Sequence, residues 1–307
     1  MWVPSSVKNR QAMKTAVVIS SVSRPRILHE TVVSLGKQTC LPIMIVLSLC
    51  DTASVSNETA QLPLIRIIQG ARGLTRQRNM GVRVVPPEAD CVLFLDDDIE
   101  LSPNYIESMQ RMFTRNPNVV MASGISAADG LRIGRPLTRE EASAAVLKLR
   151  CESKTEAAEG AYGCNMFVRC SLLRRVQFDE RLPLHSWLED YDFSVRSQPF
   201  GQVVWNYETC VAHLGAQRGC RERGFLVGYT QLANSHYLWR KGTIPSLTKL
   251  LGTFWLPALR VSLQGAVHAK PPWNTLLDYK GRVRGNFRAL ADAAMFKLRP
   301  ERVLDFV

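Results

Sequence analysis

An apolar run, Cys91-Val92-Leu93-Phe94-Leu95, enters three consecutive carboxylates, Asp96-Asp97-Asp98. A strand covered on both faces reads as a continuous apolar stretch. Desolvating an unpaired carboxylate costs several kcal/mol, so the strand is expected to end at Leu95 with the acids at its carboxyl end. In open α/β sheets that edge is where ligands bind. Asp96 and Asp98 are two apart and point the same way if strand geometry persists. Two such carboxylates suit Mg²⁺ or Mn²⁺ with a substrate phosphate completing the shell. Taken alone, the triplet reads equally as a solvated acidic turn before a helix.

The surrounding pattern favours the first reading. Thr15 to Ser20, Ile43 to Leu49 and Leu64 to Ile68 are short β-branched or apolar strands. Between them, residues 26–38, 73–85 and 103–115 carry helical spacing. Strands alternating with helices predict an α/β fold, a mostly parallel, doubly wound sheet flanked by helices. The strand ends then line one edge with Ser20, Arg24, Asp51, Arg72 and Asp96 to Asp98. Arg72, Arg76 and Asn79 fall at i, i+4 and i+7, a shared face beside a helix N-terminus, which is a good anion site. There is no Gly-x-Gly-x-x-Gly fingerprint and no Walker A sequence, which weighs against a dehydrogenase or a P-loop enzyme.

Further along, residues 119–126 read as a strand, and residues 127–160 as a Gly/Pro-punctuated insert with a polar helical stretch that covers part of the site. Glu189-Asp190-Tyr191-Asp192 precedes Phe193 and Val195, the pattern of a helix N-terminus, where carboxylates are favoured. It is also the pattern of a general base beside an aromatic residue. His213 gains interest because a metal site seeded by Asp98 needs more ligands.

The chain of 307 residues carries a formal charge of +12. From Arg240 to Val307 there are twelve Lys or Arg against four Asp or Glu, a net +8, so most of the excess lies in the tail. A polyanionic partner is implied: nucleic acid, an anionic membrane or phosphorylated ligands. Residues 225–241, 244–267 and 275–298 read as helices, and Leu250 to Leu256, flanked by Lys249 and Arg260, suits either an interfacial helix or a core helix. No nucleic-acid motif is visible. None of the eight cysteines forms a Cys-x-x-Cys, the first fourteen residues lack a signal-peptide core, and no apolar run reaches the ~20 residues of a membrane span. The sequence is therefore expected to be cytoplasmic with reduced thiols. The expected organisation is a leader at 1–14, a catalytic domain at 15–225 and a basic helical extension at 226–307.

In order, these pieces resemble the inverting GT-A glycosyltransferases of family 2, of the bacterial polysaccharide-assembly type. The resemblance rests on the Ser/Arg loop after the first strand, Arg72-Gly73-Leu74-Thr75-Arg76-Gln77-Arg78-Asn79-Met80-Gly81, Phe94 to Asp98, Gly163 to Arg169, Phe178-Asp179-Glu180, Glu189 to Asp192, and Val211-Ala212-His213. It covers residues 15–241.

The resemblance implies a metal-dependent transfer of sugar from a nucleoside-diphosphate sugar, a UDP-sugar foremost, to an acceptor hydroxyl. Asp98 and His213 would ligate Mn²⁺ or Mg²⁺. Ser20, Arg24, Asp51, Arg72, Arg76, Asn79, Asp96, Asp97 and Asn165 would contact the nucleotide sugar. Asp190 would be the catalytic base, with Glu189 or Asp192 as substitutes. The implied acceptor is a saccharide, or one carried on polyprenyl diphosphate at the inner face of the cytoplasmic membrane. That puts the protein peripherally on the membrane, and no nucleic-acid partner is expected. The alternatives are a sugar-phosphate nucleotidyltransferase, which usually carries a Gly-rich loop that Ser20 to Pro25 lacks, and a basic nucleic-acid-binding protein.

Overall fold

The computed structural model of the chain describes residues 13–215, 224–268 and 277–307. The expected leader lies outside them except for its last two residues, and Cys220 lies outside as well.

The chain opens with β1 (Thr15–Ser21), α1 (Pro25–Leu35), β2 (Met44–Leu49), α2 (Asn57–Ala60), β3 (Ile65–Gln69) and α3 (Leu74–Val82). It continues through β4 (Cys91–Asp96), β5 (Ile99–Leu101), α4 (Tyr105–Arg115), β6 (Val119–Asp129), α5 (Gly130–Ile133) and α6 (Arg139–Lys148). Then come β7 (Thr155–Ala157), β8 (Asn165–Arg169), α7 (Cys170–Leu173), α8 (Glu189–Ser197) and β9 (Gln202–His213). The C-terminal helices are α9 (Gly224–Lys241), α10 (Leu247–Lys249), α11 (Leu256–Val267) and α12 (Tyr279–Ala294).

The sheet runs in the order β3-β2-β1-β4-β8-β6-β9-β5, with β7 paired to β9. Its first four strands are parallel, as the strand–helix alternation predicts. β8 enters antiparallel between β4 and β6, and β9 returns parallel to β6. The apolar runs explain the centre: Cys91 to Leu95 is fully covered, with one face in a cluster around Ile19, Leu28 and Tyr105 and the other around Val18, Met166 and Phe193.

Register decides what reaches the site. Ser20 sits opposite Asp96, and Ile99 opposite His213. β5 and β7 are three-residue edge strands, too short to carry a period of two. Residues 202–213 form one strand instead of two segments, broken in register between Gly124 and Ile125 of its partner. Bulges of this kind re-aim side chains next to functional sites.

The 127–160 insert is tied down at both ends. Thr138 and Glu141 form a reciprocal capping box at the start of α6. Arg139 donates to the Ile99 carbonyl at 2.9 Å and to Thr31 Oγ1 at 3.0 Å. Residues 247–267 stay helical through Pro257 because a π-helical turn at Leu250–Trp255 precedes it. A widened turn accommodates a residue that lacks an N–H.

Candidate active site

The three acids at the end of β4 have three different environments. Asp97 is fully buried and points away from its neighbours, accepting from Ser21 Oγ and from the Arg24 guanidinium, whose Nε lies at 3.1 Å. Burial pushes the Asp97 carboxyl up to about 7, against the pull of Arg24 and Ser21. The Asp97 carbonyl is held by Thr31 Oγ1 at 2.6 Å, so the turn is fixed from both sides.

Asp96 and Asp98 point together, as their spacing predicts. Their carboxylate oxygens and a ring nitrogen of His213 all lie within 4.8 Å of one another. His213 Nε2 is 3.3 Å from Asp98 Oδ1, and Nδ1 is 3.4 Å from Asp129 Oδ1. Burial opposes charge on this imidazole, but Asp98 and Asp129 outweigh it and raise the ring to about 10. Asp129 also accepts from Tyr162 Oη at 2.9 Å and from the Leu131 N–H at 2.9 Å. A carboxylate behind a metal-ligating histidine fixes its tautomer and orientation. Two carboxylates and an imidazole, clustered and mostly buried, are a donor set that fits a divalent cation.

The second acidic group enters from α8. A loop before it holds Leu184, Ser186 and Leu188 at φ 58, 52 and 70. Left-handed backbone costs a non-glycine residue about 1–2 kcal/mol. The loop also closes the start of α3: the Leu74 N–H donates to the Leu184 carbonyl at 2.9 Å, and Thr75 Oγ1 to Leu182 at 3.1 Å. Gly73 ends the loop before α3 at φ 137, a conformation that favours glycine.

Asp190 Oδ2 accepts from the Gly163 N–H at 2.9 Å, and Oδ1 from the Tyr191 N–H at 2.8 Å. Burial raises its pKa in spite of these donors. A side chain at position 163 would put its Cβ 2.9 Å from Asp190 Oδ2 and 3.1 Å from Glu189 Oε1, so the approach requires glycine.

Arg78 joins the two acidic groups. Its buried guanidinium lies 2.9 Å from Glu189 Oε1 and 3.4 Å from Asp96 Oδ1, and donates to the Gly163 carbonyl at 2.7 Å. Burial pushes Glu189 up to about 8 despite Arg78. The sequence reading placed no role on Arg78. The available signal was weak: α3 buries Thr75, Gln77, Arg78, Asn79 and Gly81, so no apolar face marks which of its charges turns inward.

The other expected site residues are placed as follows. Arg72, Arg76 and Asn79 do not share a face. Arg72 precedes α3, Arg76 is exposed, and Asn79 is buried with its amide bound in both directions to the Phe178 backbone, at 2.9 and 3.0 Å. Asp51 accepts from Ser54 Oγ at 2.6 Å, which holds its pKa down, and the Arg72 charge acts in the same direction. Arg24 is committed to Asp97, with Nη1 3.5 Å from Asp98. The Ser20 hydroxyl is a buried atom with no hydrogen-bond partner in the protein. Asn165 is buried on β8, its Nδ2 3.4 Å from the Gly124 carbonyl and its Oδ1 without a partner.

Asp192 is no substitute base. It is fully buried and accepts from Arg196 Nε at 2.9 Å, Lys241 Nζ at 2.9 Å and Thr243 Oγ1 at 2.8 Å. Its oxygens are engaged by Arg196 on its own helix and by Lys241 and Thr243 at and just after the end of α9.

Among solved structures, the chain is similar to GalNAc-T7 crystallised with UDP, GalNAc and Mn²⁺ (TM-score 0.56, 14% identity, 97% of this chain and 57% of that one). It is also similar to S. aureus TarS residues 1–349 (TM-score 0.50, 14% identity, 92% of each chain). At such identities the likeness shows the GT-A fold alone, and the chain spans little more than half of GalNAc-T7. No curated protein sequence matches the chain. The family model for glycosyl transferase family 2 matches residues 16–182, more than half of the 307. That match covers the β4 acids, Arg78 and Gly163, and with it the chain belongs to glycosyl transferase family 2.

Proposed function

We propose that the chain is a metal-dependent, inverting glycosyltransferase that moves a sugar from a nucleoside-diphosphate sugar to an acceptor hydroxyl. The observation that carries this reading is the pairing of two acidic groups through Arg78: Asp96, Asp98 and His213 on one side, and Glu189 with Asp190 on the other. One group is suited to the leaving diphosphate and the other to the attacking hydroxyl.

Asp98 and His213 would hold Mn²⁺ or Mg²⁺, with Asp96 nearer the ribose or diphosphate. The ion, when bound, acts as a Lewis acid that offsets charge on the departing diphosphate. The UDP and Mn²⁺ of the GalNAc-T7 structure favour a UDP-sugar and this ion class. Asp51 and Arg72, neighbours at the ends of β2 and β3, suit the base and ribose. The unpartnered Ser20 hydroxyl and Asn165 Oδ1 are polar atoms in the same strand-end region.

Asp190 is the base. Two backbone N–H groups fix its carboxylate, and burial raises its proton affinity. It takes the acceptor hydroxyl proton as the new bond to the anomeric carbon forms. The bond to the diphosphate breaks on the opposite face, so the configuration inverts. Asp97 and Arg24 contribute by locking the turn that aims Asp96 and Asp98. The acceptor is a saccharide or a polyprenyl-diphosphate-linked saccharide in cell-surface polysaccharide synthesis, met at the inner face of the cytoplasmic membrane, a reading supported by the net +8 of the tail.

A thermal-shift panel of nucleotide sugars with and without Mn²⁺ tests this reading. The right donor at ~100 Kd stabilises the native state by about 2.7 kcal/mol, and only with the metal. Asp98→Ala should abolish that metal dependence. Release of pyrophosphate in place of a nucleoside diphosphate would replace this reading with nucleotidyl transfer.

A further inference from the structure

Two features of the C-terminal helices are built against ordinary folding economy. The first is α11. It buries Ser262 and Gly265, the latter packed against the Tyr279 ring, keeps Leu259 half-buried against the core of the C-terminal helices, and turns Leu256, Leu263 and Val267 outward. Leu256 is 61% exposed, Leu263 48% and Val267 76%. Scattered surface leucines are ordinary, but a helix whose fully buried positions are Ser262 and Gly265 and whose outer side carries Leu256, Leu263 and Val267 departs from the pattern of a core-facing helix.

The second is the end of α12, the helix packed against α11. The Lys297 N–H donates to the Asp292 carbonyl at 2.7 Å, and the Phe296 N–H to Ala293 at 3.0 Å. This double bond pattern is a Schellman cap, whose left-handed position is normally glycine. Here it is Phe296, at φ 56 and 99% exposed. The chain accepts backbone strain in order to hold a phenyl ring wholly in water, next to exposed Met295.

The charge around these features is one-sided. Arg260, Lys280, Arg284, Lys297 and Arg299 are exposed and have no ion-pair partner among the described residues. The nearby acids are spent internally: Asp292 on Arg288, Arg302 and Tyr229, and Glu301 on Arg181. No helix among the described residues is long and apolar enough to cross a membrane.

We infer that the outer face of α11, together with the Phe296 cap of α12, is an interfacial docking surface for an anionic lipid bilayer. Leu256, Leu263, Val267 and Phe296 enter the headgroup–acyl boundary, and the unpaired Lys and Arg side chains meet lipid phosphates. Apolar residues beside an unneutralised cationic rim are what such an interface selects. The inference deepens the reading of a lipid-linked acceptor and rests on it for its purpose. Vesicle binding, however, is measured apart from sugar transfer, so the failure of one is distinguishable from the failure of the other.

The experiment is sedimentation of the full chain with vesicles of equal parts phosphatidylglycerol and phosphatidylcholine, and with phosphatidylcholine alone. Binding is expected to the first, weakened by salt, with little to the second. Phe296→Gly is the decisive variant: it should weaken vesicle binding about tenfold while holding or raising the melting temperature, because glycine relieves the cap. Leu263→Glu should weaken binding further. The proposal is overturned if anionic vesicles do not bind the protein, if Phe296→Gly and Leu263→Glu bind them like the parent, or if the two substitutions instead dissolve a dimer of the free protein.

Discussion

Arg78 Nη1 lies 2.9 Å from Glu189 Oε1, with both side chains buried. The same guanidinium reaches Asp96 and the Gly163 carbonyl, and the Gly163 N–H holds Asp190. One cation thus contacts both acidic groups at once, Asp96 on one side and Glu189 on the other.

Removing that cation has a measurable cost. Arg78→Met takes buried donors away from Glu189 Oε1 and the Gly163 carbonyl, a change expected to cost about 1–3 kcal/mol in urea unfolding at neutral pH. The double variant Arg78→Met with Glu189→Leu should regain part of that stability while transfer stays lost. Strictly additive effects of the two single substitutions would show that the pair is not coupled.

The Glu189 carboxyl sets a pH dependence. Its pKa moves from 4.5 in the unfolded chain to about 8 in the fold, chiefly through burial. A raised folded pKa means the native state binds the proton more tightly. Its contribution is therefore fully present below pH 4.5 and is lost as pH rises toward 8. The slope from this group is at most about 1.4 kcal/mol per pH unit. Glu189→Gln should flatten unfolding free energy against pH in that window; an unchanged slope would assign the titration elsewhere.

Asp190→Asn keeps the shape and can still accept from the Gly163 N–H. Loss of general-base catalysis is worth 10²- to 10⁴-fold, so kcat should fall by roughly that factor. The metal-dependent stabilisation by donor should survive. Turnover within a few fold of the parent would remove Asp190 from the chemistry.

Asp192 behaves as a latch. Asp192→Asn weakens the contacts to Lys241, Arg196 and Thr243, and should cost about 2–4 kcal/mol of stability, as for a damaged buried ion pair. Activity per folded molecule should change little below the new melting temperature. A large fall in kcat with an intact fold would return Asp192 to the list of bases.

Much of the fold was legible because its signals are local. Val17 to Ser20, Ile45 to Leu49 and Cys91 to Leu95 carry apolar runs that only covered strands need, and the intervening helices show their own period. The convergence of Asp96 and Asp98 was legible from a spacing of two. The charge excess of the tail was legible too, but not which helix faces it would frame.

Other features depended on contacts between distant parts of the chain. Arg78 meets Glu189 across 111 positions, and Ser21 meets Asp97 across 76. β5 and β7 are too short to announce themselves, and Asp129 reads as part of an insert until β6 runs on to place it behind His213.

Sequence alone determined the alternating architecture and the three acids at a strand end, because backbone propensity and hydrophobic period act over a few residues. Tertiary structure alone decided which acid is locked by Arg24, which two face His213, and that Arg78 serves both groups. Those choices follow from strand register and helix packing, which bring charges together only after the sheet has closed over its core.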